Sequence, residues 1–153
     1  MKDVSGRLYP ERPIPGVLAV VRRGARILLA QRSVPPGIGK WGFPGGMLEL
    51  GETIHDGAAR ELKEETAIIA DPVATLTVLD SIRHDDDGRV KVHFALMVVV
   101  LRWRVGEGEP IEDATALAWL TADEVRTRGL DLFSDVERLM RMALDHPKEP
   151  GNV

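Results

Sequence analysis

Three glutamates, Glu61, Glu64 and Glu65, fall within five residues, downstream of a Pro44-Gly45-Gly46 turn. On a helix, Glu61 and Glu65 are four apart and Glu61 and Glu64 three apart, so their carboxylates crowd one side. Ala58 and Leu62 then point toward a core. Like charges at these spacings destabilise an isolated helix by roughly 0.2–0.5 kcal/mol per pair. One reading is a solvated helix face that tolerates this cost. The other is a site for a hard cation. Mg²⁺ and Mn²⁺ favour carboxylate and carbonyl oxygen, keep several waters and bind phosphates at the same time. In their presence the clustered charges become attractive.

The rest of the chain limits what such a site could serve. Its 153 residues are 44% hydrophobic and 29% charged, the mix of a soluble globular protein of one domain. A net charge of −4 argues against a dedicated nucleic-acid or anionic-membrane surface. With no cysteine there is no disulfide, thiolate metal site or cysteine nucleophile, so a metal must be held by oxygen or imidazole. No run of 18 apolar residues suggests a membrane span. The polar, proline-rich start lacks the apolar centre of a secretory signal, and the expected location is the cytoplasm.

The elements that position the glutamates can be read in order. Val17–Val21 and Ile27–Ala30 flank "RRGA" as a strand pair. Residues 33–46 hold five glycines and three prolines and read as loop. A helix starts near Thr53, where Thr53 and Asp56 resemble a capping box. It carries Ile54, Ala58 and Leu62 on one face and ends near Thr66 or Ala67. "DPVATLTVLDSIR" and "RVKVHFALMVVVLRWRV" are strands joined through the turn signal Asp87-Gly88. "LAWL" is a short strand. Thr121 with Glu124 caps a helix that Gly129 stops. Ser134 with Glu137 caps a last helix over about 134–145, closed by Pro147. The expected fold is α/β (α+β), a mixed sheet with helices on its faces.

"GMLELGETIHDGAARELKEETAI" resembles the Nudix box, G-x5-E-x7-R-E-U-x-E-E-x-G-U, where U is aliphatic. Gly46, Glu52, Arg60, Glu61, Leu62, Glu64, Glu65 and Ile68 match. Ala67 departs, standing where the pattern has glycine. The glycine ends the helix, so alanine costs about 1 kcal/mol if φ must be positive. The upstream "RSVPPGIGKWGFPGG", the hairpin "DDDGRVKVHF" and "LAWLTADEV" resemble the ADP-ribose pyrophosphatase-like bacterial members, and the likeness covers about 14–125. It implies one Nudix domain, a mixed sheet sandwiched between helices.

The resemblance also implies roles. The family hydrolyses a nucleoside diphosphate linked to another moiety: water attacks a phosphorus while divalent metal, Mg²⁺ or Mn²⁺, neutralises charge. Glu61, Glu64 and Glu65 are then the metal ligands, with the carbonyl of Gly45, where glycine bares backbone for close approach. Either one of these glutamates or an acid from a later loop deprotonates the water. Arg60 pairs with Glu52 or Glu61 to hold the carboxylates. Glu112 or Asp113, ahead of Trp119, is a candidate further acid, or a plain loop charge. Arg32 and Arg83 could meet phosphates. Trp41 and Phe43 could stack a base or merely pin their loop. Asp85, Asp86 and Asp87 read as turn residues, and His84 and His93 as strand or core histidines. Leu139, Met140 and Leu144 suit core packing or a homodimer. The leading expectation is an enzyme acting on an ADP-ribose-like nucleotide. The alternative is a house-cleaning hydrolase of oxidised nucleoside triphosphates. A third reading, a nucleotide-binding regulator without catalysis, sits poorly with the intact acidic positions.

Overall fold

Val98–Leu101 has no polar residue on either face, and both faces are buried. Such a strand belongs at the centre of a sheet covered on both sides. The computed structural model describes residues 6–147 and places it there. The strands are β1 (Ile14–Arg23), β2 (Arg26–Arg32), β3 (Trp41–Gly42), β4 (Gly45–Met47), β5 (Ile69–His84), β6 (Val90–Val105) and β7 (Ala114–Leu120). The helices are α1 (Ile54–Thr66), α2 (Ala122–Arg128) and α3 (Val136–Asp145).

The sheet runs β3-β2-β1-β6-β5, with β4 added to β1 and β7 to β2. Among the paired strands of the described residues, β1 and β6 run parallel and the other pairs antiparallel, so the sheet is mixed. Alternation along the central strands divides the core into two layers. Val17, Ala19, Val21, Leu28, Val99 and Leu101 face Ala58 and Leu62 of α1. Val20, Ile27, Leu29, Val98 and Val100 face Val125 of α2 and Val136, Leu139, Met140 and Ala143 of α3. The sheet is thus sandwiched between helices. Leu139 and Met140 serve the core rather than a free surface. No helix among the described residues is long and apolar enough to cross a membrane.

Local chemistry explains the helix that carries the glutamates. Thr53 Oγ1 accepts from the Asp56 N–H at 3.1 Å and satisfies one free donor of the first turn. The helix ends at Ala67, whose φ of 61° lies in the left-handed region. Its N–H still bonds the Lys63 carbonyl at 2.9 Å.

Three expectations need correction. Residues 33–46 are not all loop, because Gly45–Met47 pairs with Gly16–Leu18 of β1. A Cβ on Gly45 would strike the Val17 carbonyl, so glycine is what lets this strand lie so close. β7 extends well beyond "LAWL" to Ala114, carried by its pairing with β2. Ser134 does not cap α3. Asp135 takes that position, and its side chain bonds no backbone N–H of the first turn. It bonds Arg138 at 3.1 Å instead, while Val136 N donates to the Phe133 carbonyl at 3.2 Å.

Candidate active site

The three glutamates project from α1 with different surroundings. Glu61 is buried, only 3% exposed, beside Ala58 and Leu62, while Glu64 is exposed and Glu65 half-buried. Gly46 explains how a carboxylate fits there. A Cβ on Gly46 would lie 2.5 Å from the Glu61 carboxylate carbon, so any side chain would displace it. Glu65 is held from the same short strand, since Gly45 N–H donates to its Oε2 at 3.3 Å.

Arg60 is the hub of the acidic cluster. Nε donates to Glu52 Oε2 at 2.6 Å and Nη2 to Glu52 Oε1 at 2.9 Å, a bidentate pair. Nη2 also donates to the Met47 carbonyl at 3.1 Å. Nη1 donates to Glu61 Oε1 at 2.9 Å and Glu64 Oε2 at 3.3 Å. Arg60 therefore engages Glu52 and Glu61 at once. Its hydrogen bonds with Glu52 push the guanidinium pKa above its usual value. The same bonds hold the Glu52 carboxyl below the usual glutamate range. Glu52 is fixed further by the Glu49 N–H at 3.0 Å.

Gly57 permits this arrangement. A Cβ there would lie 2.8 Å from Leu48 Cδ1 and 2.9 Å from Glu52 Oε1. Sequence reasoning passed over Gly57, although a glycine inside a helix, at a cost near 1 kcal/mol, was a signal.

The loop before β7 closes the far end of α1. Ile111 N–H donates to the Glu65 carbonyl at 3.0 Å and Glu109 N–H to the Thr66 carbonyl at 2.9 Å. These satisfy carbonyls that a helix end leaves free. Glu112, next in the chain, has a φ of 56°, unusual for a side-chain-bearing residue. The Asp113 carbonyl accepts from Ser33 N–H at 2.8 Å, tying this loop to the end of β2.

Arg32 lies at that junction. Burial lowers its pKa first; the charges of Asp113 and Glu65 raise it, and those of Arg7 and Arg83 lower it. Arg32 thus lies within electrostatic reach of Arg83, Asp113 and Glu65. Trp41 and Phe43 pack on the core layer facing α3, and Trp41 bonds Asp131 and Phe133 through its backbone. Asp85 gathers the N–H groups of Asp87 and Arg89 and the Tyr9 hydroxyl, so it organises the β5–β6 turn. His84 ends β5, exposed, and half-buried His93 pairs with Ile82.

The donors of α1 are carboxylate oxygens, the chemistry a hard cation requires, and Gly46 clears space at Glu61. Among the described residues, however, no three acidic or histidine side chains are arranged to hold a metal ion. Arg60 Nη1 draws Glu61 and Glu64 to itself.

The family model of the NUDIX domain matches residues 12–140. The chain belongs to the Nudix hydrolase family. An ADP-ribose pyrophosphatase of Methanocaldococcus jannaschii is 29% identical over 142 residues, 93% of this chain and 73% of that protein. An oxidized purine nucleoside triphosphate hydrolase of Danio rerio is 33% identical over 71% of this chain and 66% of its own. A MutT Nudix hydrolase structure from Burkholderia pseudomallei superposes with a TM-score of 0.68 at 30% identity, covering 90% of this chain and all of that one. Of the residues that match the box, Gly46 lies in β4, Glu52 just before α1, Arg60, Glu61, Leu62, Glu64 and Glu65 on α1, and Ile68 just after it.

Proposed function

We propose that this Nudix hydrolase is a Mg²⁺- or Mn²⁺-dependent pyrophosphohydrolase. It splits the diphosphate of a nucleoside diphosphate joined to another group, with an ADP-ribose-like nucleotide as first choice. The observation that carries the reading is the buried Glu61 carboxylate seated against Gly46 and fixed by Arg60. A charge kept in a 3% exposed position is costly unless it is used or paired.

Glu61, Glu64, Glu65 and the Gly45 carbonyl would hold the cation, with Glu112 or Asp113 as a further acid. Once bound, it supplies electrophilic stabilisation of charge on the phosphoryl oxygens. The protein's own groups do the rest. Arg60 and Glu52 fix the direction of the Glu61 carboxylate. Gly46 and Gly45 keep the facing backbone close and bare. Arg32 and Arg83 receive non-bridging phosphate oxygens. One of the acids Glu61, Glu64, Glu65, Glu112 and Asp113 accepts the proton of the attacking water. This scheme takes one Nudix domain, a small nucleotide rather than nucleic acid or membrane, and a cytoplasmic setting.

Likeness to the Methanocaldococcus jannaschii enzyme favours an ADP-ribose-like substrate, and likeness to the Danio rerio enzyme favours oxidised nucleoside triphosphates as the second reading. Incubating the protein with Mg²⁺ and either ADP-ribose or 8-oxo-dGTP, with products identified by mass, tests both. AMP with ribose 5-phosphate supports the first reading, and 8-oxo-dGMP with pyrophosphate the second. No hydrolysis of a wide nucleotide panel in Mg²⁺ or Mn²⁺ refutes both.

A further inference from the structure

Tyr9 fastens the segment ahead of β1 to the β5–β6 hairpin in three ways. Its N–H donates to the Lys91 carbonyl at 2.8 Å, and its hydroxyl donates to Asp85 Oδ2 at 2.9 Å. The Arg89 guanidinium lies 4.6 Å from its ring centre. Tyr9 also has a φ of 52°, in the left-handed region that a bulky side chain avoids. Such a conformation persists where its surroundings enforce it. The latch provides that enforcement, and it fixes the path of the residues just before it.

Arg7 lies two residues upstream of this latch and is half-buried. Its Nε is buried and has no hydrogen-bond partner among the described residues, and the same holds for Arg32 Nε. Buried donors without acceptors are rare in folded proteins. Both Nε atoms, 25 positions apart in the chain, are therefore donors for which the described residues supply no acceptor. Arg7 and Arg83 both act on Arg32 as like charges, so each of them lies within electrostatic reach of Arg32. Glu65 and Asp113 act on Arg32 as opposite charges, and Glu65 ties Arg32 to the end of α1 that carries the glutamates.

We propose that Arg7 is a phosphate-binding residue, completing with Arg32 and Arg83 a three-arginine clamp for phosphoryl oxygens beside the Glu65 end of α1. The inference rests on the hydrolase reading and adds a residue outside the box to it. A guanidinium meets two oxygens of one phosphate with parallel N–H bonds. A diphosphate offers enough non-bridging oxygens to serve three such groups. Its negative charge also offsets the repulsion among them. Tyr9 acts as a positioning residue through the latch.

The full-length chain tests this with Arg7→Ala, Arg7→Lys and Tyr9→Phe. On the hydrolysed nucleotide with Mg²⁺, Arg7→Ala should lower kcat/KM by about 10- to 100-fold, mainly through KM. Arg7→Lys should recover part of this, and Tyr9→Phe should raise KM less than Arg7→Ala does. Melting in EDTA with inorganic pyrophosphate reads the clamp without turnover. Wild type should be stabilised and Arg7→Ala less so. If Arg7→Ala keeps the wild-type KM and the wild-type pyrophosphate shift, Arg7 is no part of a clamp. The same conclusion follows if wild type shows no pyrophosphate shift. The hydrolase reading fails separately, on absence of turnover by wild type, and the melting comparison still decides the role of Arg7.

Discussion

Ala67→Gly should stabilise the protein. Ala67 sits at the C-cap of α1 with φ 61° and ψ 8°. An L-residue with a Cβ loses roughly 1–2 kcal/mol in that region, and glycine loses nothing. Against this, glycine makes the unfolded chain more flexible, which costs about 0.4–1 kcal/mol. The Ala67 side chain is exposed, so removing its methyl sacrifices little burial. The cap bond from Ala67 N–H to the Lys63 carbonyl is backbone and survives the change. The net gain is about 0.5–1 kcal/mol, or roughly 1–4 °C in melting temperature for a chain of this size. Calorimetry or circular-dichroism melts of both proteins read it, alongside kcat. Turnover should be unchanged, because the Glu65 and Thr66 carbonyls are pinned by Ile111 and Glu109. A lower melting temperature would refute the assigned strain. Loss of turnover would refute the separation of helix exit from the acidic cluster.

Gly46→Ala should cut kcat by at least about tenfold, because its Cβ must push aside the Glu61 carboxylate 2.5 Å away; wild-type kinetics would contradict that packing. Glu52→Gln should cost about 1–3 kcal/mol at neutral pH, since it weakens the bidentate bond to Arg60. Arg60 holds the Glu52 pKa below its usual 4.5 when folded, so this stability is present above pH 4.5 and is lost as pH falls through the folded value. Chemical denaturation from pH 7 to 3 should accordingly show the gap between wild type and Glu52→Gln closing in acid, and parallel curves would sink the assignment. EDTA should abolish pyrophosphohydrolase activity and added Mg²⁺ or Mn²⁺ restore it, whereas full activity in chelator would exclude the cation.

Much of the fold could be read from local pattern. The apolar runs of β1, β2 and β6, the Thr53 and Thr121 caps and the Asp87-Gly88 turn are all set by residues near one another in sequence. The spacing of Arg60, Glu61, Glu64 and Glu65 also fixes their helical order without reference to the rest of the chain. What escaped depends on contacts between distant segments. The strands β3 and β4 are two and three residues long and exist through pairing with β2 and β1. The parallel pairing of β1 with β6 joins Ile14 to Phe94, which no local signal specifies. The burial of Glu61 was illegible for the same reason, since its carboxylate occupies space left by Gly46 from another element. Arg7 went unnoticed in the polar, proline-rich start, because the bond that fastens that segment joins Tyr9 to Asp85, 76 positions away. Ser134 matched a capping pattern, yet the turn at Phe133 moved the cap one residue on.

The clustered carboxylates are tested most directly by kcat of Glu65→Gln, measured beside wild type on the hydrolysed nucleotide at saturating Mg²⁺. Glutamine keeps the shape and an acceptor for the Gly45 N–H but removes one charge. Turnover should fall by roughly 10²–10⁴-fold, since a metal clamp supplies several kcal/mol of transition-state stabilisation. The metal-free protein should melt no lower than wild type, because a like-charge repulsion is gone, and should gain less from added Mg²⁺. Wild-type turnover together with a wild-type Mg²⁺ response would contradict the account and return α1 to a solvated acidic helix.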